Sequence, residues 1–137
     1  MPVEQTLSLL KPDAVRRNLK NEINQFFTSA GLTIVASKEL TLTYDQAAEF
    51  YKMHAERPFF KDLCTIMSKG PIVAQVLEGD NAIQRNRDIM GDTNPANASD
   101  GTIRKQFALS IDENTVHGSD SVDAARSEIA FFFPGMQ

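Results

Sequence analysis

Asn114-Thr115-Val116-His117-Gly118-Ser119-Asp120-Ser121 is the stretch of this chain whose residue types and spacing come nearest to a reaction centre. The glycine leaves the backbone beside His117 uncrowded. The Ser and Asp residues behind it can cap a following helix, whose N-terminus attracts anions. Glu128, two turns into that helix, can fold back toward the ring. A histidine oriented by a carboxylate near a helix start is how a nucleophile for a phosphoryl group would be arranged. The same composition also fits a surface histidine in a turn that merely caps a helix.

Other residues suit anion or base binding. Arg87, Thr93 and Arg104 surround a polar loop; guanidinium forks match phosphate oxygens and a Thr hydroxyl adds a donor. Taken singly, Arg87 fits a solvated helix charge and Arg104 a surface strand residue equally well. Lys11 directly follows an apolar strand, where it can enter a cleft as a point charge or simply close the strand. Tyr51, His54, Arg57, Pro58, Phe59 and Phe60 form a helix end and an aromatic pair. Phe59 can be a stacking platform for a base or an ordinary core ring. No G-x-x-x-x-G-K-[ST], G-x-G-x-x-G or H-E-x-x-H motif occurs, so P-loop, dinucleotide-fold and zinc-protease readings lose their support. Two histidines without ligand spacing suggest no zinc site. Cys64 reads as a small buried hydrophobe.

The elements that must position these residues follow from periodicity. Thr6–Leu10 alternates and then runs apolar, as a strand entering a core does, and Lys11-Pro12-Asp13 ends it. Asn21 is placed to cap a helix over 22–30, with Ile23, Phe26 and Phe27 on its apolar face and Gly31 stopping it. Leu32–Leu42 reads as a strand. Thr43 and Gln46 form a capping box for a helix from Tyr44 to about His54. A short helix follows over Lys61–Met67, then the strand Ile72–Leu77, then a helix capped by Asn81 and running to about Met90. A long polar loop covers Gly91–Thr102, and a loop of that length in a compact domain is usually functional. Phe107–Ile111 reads as a short strand or edge. Ser121 starts a last helix with Val122, Ala125, Ile129 and Phe132 or Phe133 inward. The order β, α, β, α, α, β, α, loop, α favours an α+β sandwich over a doubly wound sheet.

Composition sets the outer limits. The 137 residues fit one domain over 1–137, and 42% hydrophobic with 23% charged residues is ordinary for a folded protein. A net charge of −4 argues against non-specific binding to nucleic acid or anionic membranes. One cysteine excludes an internal disulfide, which suits a reducing compartment. Neither a signal peptide nor an apolar run of the ~20 residues that span a bilayer is visible, so a cytoplasmic location is expected.

Taken together, Lys11-Pro12-Asp13-Ala14-Val15, Arg57-Pro58-Phe59-Phe60, Gly91-Asp92-Thr93-Asn94-Pro95, Gly101-Thr102-Ile103-Arg104 and Asn114-x-x-His117-Gly118-Ser119-Asp120-Ser121 stand in a characteristic order and spacing. From about Thr6 to Phe133 the chain closely resembles the nucleoside diphosphate kinase family. The resemblance implies a ferredoxin-like βαββαβ sandwich with a four-stranded antiparallel sheet. It implies ping-pong transfer of the γ-phosphoryl group from a nucleoside triphosphate to a diphosphate, ribo or deoxyribo, through phosphohistidine at His117. Glu128 would orient the ring and Ser119 support that Glu. Lys11, Tyr51, His54, Arg87, Thr93 and Arg104 would hold the phosphates. Lys11 and Asn114 would bind the ribose, and Phe59 would stack on the base beside Leu63 and Ile111. Mg²⁺ would be bound mainly by nucleotide and water, with Asp120 helping.

The resemblance also implies a homo-oligomer (dimer, tetramer or hexamer) that requires neither nucleic acid nor a membrane. The chain departs from the family pattern at Asn18, Lys20 and Asn21, where glycines and an apolar residue are usual. Phe26 stands where a charged residue is common, and suits a subunit contact. The chain also stops at Gln137, without the extension of the hexameric eukaryotic members. These differences bear on assembly rather than on the phosphate site. A non-catalytic nucleotide-binding module of the same fold is the alternative, favoured only if His117 or a phosphate ligand were replaced.

Overall fold

The apolar run at the start of the chain becomes a central strand in the computed structural model, which describes residues 3–52, 55–92, 94–108 and 115–134. In chain order the first half comprises β1 (Val3–Leu10), α1 (Pro12–Arg16), α2 (Lys20–Ser29), β2 (Thr33–Leu40), α3 (Tyr44–Phe50) and α4 (Phe60–Met67). The second comprises β3 (Ile72–Asp80), α5 (Ala82–Met90), α6 (Ile103–Phe107), β4 (Val116–Gly118) and α7 (Val122–Phe132). The strands form one antiparallel sheet of order β2-β3-β1-β4. β1 and β3 are central and buried through most of their length, which is why they read as apolar runs rather than strict alternation.

Side chains of a strand alternate between faces, and both faces are covered. Leu7 and Leu9, opposite Val76 and Ala74, pack with Phe50, Met67, Ile129 and Phe132 of α3, α4 and α7. Leu10, opposite Val73, packs with Ala14, Ile23, Phe27 and Ile103 of α1, α2 and α6. Strand order and connection make this the ferredoxin-like βαββαβ arrangement, with α3 and α4 inserted between β2 and β3 and α7 appended.

Local signals explain several boundaries. Thr43 accepts from Gln46 N and the Gln46 side chain accepts from Thr43 N, so the expected capping box starts α3. Ser121 accepts from Ala124 N and starts α7. Gly31, at φ +86°, stops α2, and Cys64 is buried.

Other expectations need correction. Lys11-Pro12-Asp13 ends β1 at Leu10 as expected, but it also starts a helix that was not expected: Pro12, whose fixed φ suits the first helical position, opens α1. Asn21 caps nothing and lies inside α2, which begins at Lys20, while Asn18 takes a left-handed φ of 59°. β2 spans Thr33–Leu40 rather than Leu32–Leu42. α3 ends at Phe50, and His54 lies outside the described residues. Asn81 does precede α5, but through its own left-handed φ of 56° and without a side-chain cap. Phe107 ends a helix rather than opening a strand; the rest of that expected strand, 109–111, lies outside the described residues. Val122 is exposed, whereas Ala125, Ile129 and Phe132 are buried as expected. Phe26 is partly buried and meets the Phe107 ring edge-on.

Candidate active site

The strand that carries His117 is three residues long and, among the described residues, pairs on one side only, with β1. Leu9 stands opposite His117, so alternation sends the imidazole toward α3 and α7 and leaves Val116 and Gly118 facing α5. Gly118 makes room for α5 there. A Cβ at this position would overlap Asn86 Nδ2 and lie 2.7 Å from Met90 Cε. Gly118→Ala is therefore expected to lower unfolding free energy by about 1–3 kcal/mol through overpacking. Urea denaturation checks this, and unchanged stability would contradict the close contact.

Behind the ring, His117 Nε2 lies 3.0 Å from Glu128 Oε1. Ser119 Oγ donates to the same oxygen at 2.9 Å. Ser119 is itself held by β1: its N–H donates to the Leu7 carbonyl and its Oγ accepts from Leu7 N. The carboxylate is thus anchored to the sheet, not merely to its own helix. An ionised Glu128 accepts, which assigns the ring proton to Nε2 and leaves the lone pair of Nδ1 available. Phe50 and Tyr51 approach the imidazole edge-on, with centroids at 5.6 and 5.7 Å, and limit its rotation. Burial, with the nearby Glu128 charge and Cys64 adding to it, raises the Tyr51 pKa and keeps its hydroxyl protonated as a donor.

A cleft of about 900 Å³ opens beside the ring, within the size range of small-molecule sites. Lys11, Arg87 and Arg104 bring three cations to its walls. Arg104 is buried in α6, whose first turn is capped by Thr102. Its Nη1 donates to the Gly91 carbonyl and its Nη2 to that of Val116, so it ties the loop after α5 to β4. Its Nε has no hydrogen-bond partner among the described residues. Burial lowers the Arg104 pKa, with Asp92 opposing the shift and Arg87 adding to it. Cations brought together at partly buried positions repel unless an anion joins them, which suits a cleft built for phosphates.

Eight of the expected residues line this one cleft: Lys11, Tyr51, Phe59, Leu63, Arg87, Arg104, His117 and Asp120. Phe59 is 45% exposed at its rim, as a stacking ring must be and a core ring is not. Glu128 and Ser119 stand behind His117. His54, Thr93, Ile111 and Asn114 lie outside the described residues. Phe50 carries no signal of its own in the sequence, and only the fold brings it to the histidine. Asp88 and Asp92 also line the cleft. Among the described residues no group of three or more His, Cys, Asp or Glu side chains gathers as a metal site.

The model of the nucleoside diphosphate kinase family matches residues 4–137. The nucleoside diphosphate kinase of Rhodospirillum centenum is 61% identical over 137 residues, covering 100% of this chain and 98% of its own. That of Paracoccus denitrificans is 58% identical over the same coverage. The solved nucleoside diphosphate kinase of Aquifex aeolicus superposes with a TM-score of 0.96 at 43% identity, covering 98% of both chains. That of Encephalitozoon cuniculi gives 0.92 at 36% identity, covering 95% of this chain and 88% of its own. The chain belongs to the nucleoside diphosphate kinase family.

Proposed function

We propose that the protein moves the γ-phosphoryl group of a nucleoside triphosphate, typically ATP, onto His117 and from there onto a nucleoside diphosphate. The observation that carries this reading is the His117–Glu128 pair set in the wall of a cation-lined cleft. Nδ1 attacks the γ-phosphorus, the bond to the β,γ-bridging oxygen breaks, and the diphosphate leaves. A second diphosphate enters the same cleft and reverses the step. Glu128 stabilises the Nε2 proton as the ring gains positive character, and Ser119 keeps that carboxylate in place. Lys11, Arg87 and Arg104, with the Tyr51 hydroxyl, hold the phosphates; His54 and Thr93 complete the proposed set.

Mg²⁺ fits this donor set. Asp88, Asp92 and Asp120 line the cleft without joining a group of three or more such side chains among the described residues, which suits an ion that arrives with phosphates and water rather than one held by a protein cage. Asp120 would hold it through water. When bound, it neutralises charge on the phosphate oxygens.

The base is proposed to stack on Phe59 beside Leu63 and Ile111. Stacking is worth about 1–3 kcal/mol and separates bases weakly. Purine and pyrimidine diphosphates are therefore expected within about two orders of magnitude in kcat/KM, and Phe59→Ala should weaken all of them alike. A preference above about ten-thousandfold for one base would mean that polar groups read its edge. Initial rates against both substrates test the reaction itself: parallel double-reciprocal lines are expected, and intersecting lines would exclude ping-pong transfer.

The proposal includes one domain over 1–137, acting in the cytoplasm as a homo-oligomer: a dimer, tetramer or hexamer. β2 supports the last point, because among the described residues it pairs only with β3 and leaves one edge of backbone donors and acceptors. No helix among the described residues is long and apolar enough to cross a membrane.

A further inference from the structure

Two buried residues that the chemistry above does not use tie the strand of His117 to the helix beside Lys11. Thr115, the residue before β4, has a φ of +79° and no exposed surface. A β-branched residue rarely adopts that conformation, and it persists only where the surroundings over-determine it. Thr115 Oγ1 donates to Asp13 Oδ2 at 2.9 Å. Its carbonyl accepts from Lys11 N–H at 2.8 Å, and the next carbonyl, of Val116, accepts from Arg104 Nη2 at 2.8 Å. Asp13 is buried as well, and its other oxygen has no hydrogen-bond partner among the described residues. A buried carboxylate satisfied on one oxygen is costly, so stability alone is a poor reason for it.

The geometry gives the pair a different task. β4 has three residues and, among the described residues, one neighbouring strand, so sheet pairing alone holds it weakly. Arg17, four residues after Asp13 and on the same side of the chain's first helical turns, donates to the Phe107 carbonyl. The segment around α1 therefore grips the chain both at the end of α6 and at the entry to β4.

We propose that the Asp13–Thr115 hydrogen bond is a positioning device: it holds Thr115 in its strained backbone and so keeps His117 in register with Lys11 and Arg104 across the cleft. Without the hydroxyl, Thr115 relaxes toward negative φ and the imidazole two residues later shifts against the phosphates. Misplacement by about 1 Å can cost up to about 10² in rate. This inference rests on His117 being the phosphoryl acceptor.

The test is single-turnover phosphorylation of the full-length chain by ATP over a range of concentrations. Thr115→Val removes the hydroxyl and keeps the shape; Thr115→Ser keeps the hydroxyl. Thr115→Val is expected to lower the maximal rate about tenfold while half-saturating ATP moves less than about twofold. Thr115→Ser should stay within about threefold of the parent in maximal rate. Parental speed in Thr115→Val, or a Thr115→Ser as slow as the Val variant, would overturn the proposal. If Thr115→Val does not fold, Asp13→Ala, which removes the acceptor, takes its place: a maximal rate about threefold or more below the parent is expected, and the parental rate overturns. A parent chain that takes up no phosphate would instead remove the phosphohistidine reading on which the inference rests.

Discussion

His117→Ala protein is expected to bind nucleotide almost as well as the parent and to lose exchange by about 10⁴-fold or more, because the acceptor atom itself is gone. The structure explains why binding should survive. The cations of the cleft do not depend on the His117 side chain: Lys11 follows β1, Arg87 sits on α5, and Arg104 is held by the backbone carbonyls of Gly91 and Val116. The imidazole, in turn, is held from behind by Glu128 and from the side by Phe50 and Tyr51, not by the cations of the cleft. Coupled-assay rates and nucleotide titration of the same preparation check the two halves together. Exchange within about tenfold of the parent would place the chemistry on another residue.

The second large effect concerns the sugar. In the proposed site Lys11 and Asn114 would hold the 3′-hydroxyl, which would reach the oxygen bridging the β- and γ-phosphates. That oxygen gains charge as its bond to phosphorus breaks, so a donor there stabilises the transition state more than the ground state. Removing a comparable donor costs about 10²–10³ in rate, or about 2.7–4 kcal/mol. No such role is proposed for the 2′-hydroxyl. 2′-Deoxy-ATP should therefore phosphorylate His117 nearly as fast as ATP, and 3′-deoxy-ATP about 10²–10³ times more slowly. A 3′-deoxy donor within about fivefold of ATP would remove the proposed role of Lys11 and Asn114.

The candidate residues were legible in the chain because their chemistry is local: a His followed by Gly and capping residues, a carboxylate at helical reach, arginines around a polar loop. What joins them was harder to read. β4 has three residues and a glycine, too little for a period of two to show, so the strand under His117 looked like a turn. α6 has five residues, and its cap, Thr102, sits in a loop rich in similar residues; Arg104 could not be told from a surface strand residue until that helix appeared. The opposite case is α3, where a capping box acts within four residues and the start was readable to the residue. Asp13 and Thr115 are 102 positions apart, and no local pattern marks such a pair.

The most direct test of the phosphohistidine mechanism omits the acceptor. The purified chain is mixed with ATP labelled in its γ-phosphate, separated from nucleotide at alkaline pH, and the label is located. Acid-labile, base-stable label on Nδ1 of His117, discharged when a nucleoside diphosphate is added, is the expected result. Label that is absent, lies on another residue, or persists after His117→Ala would contradict it.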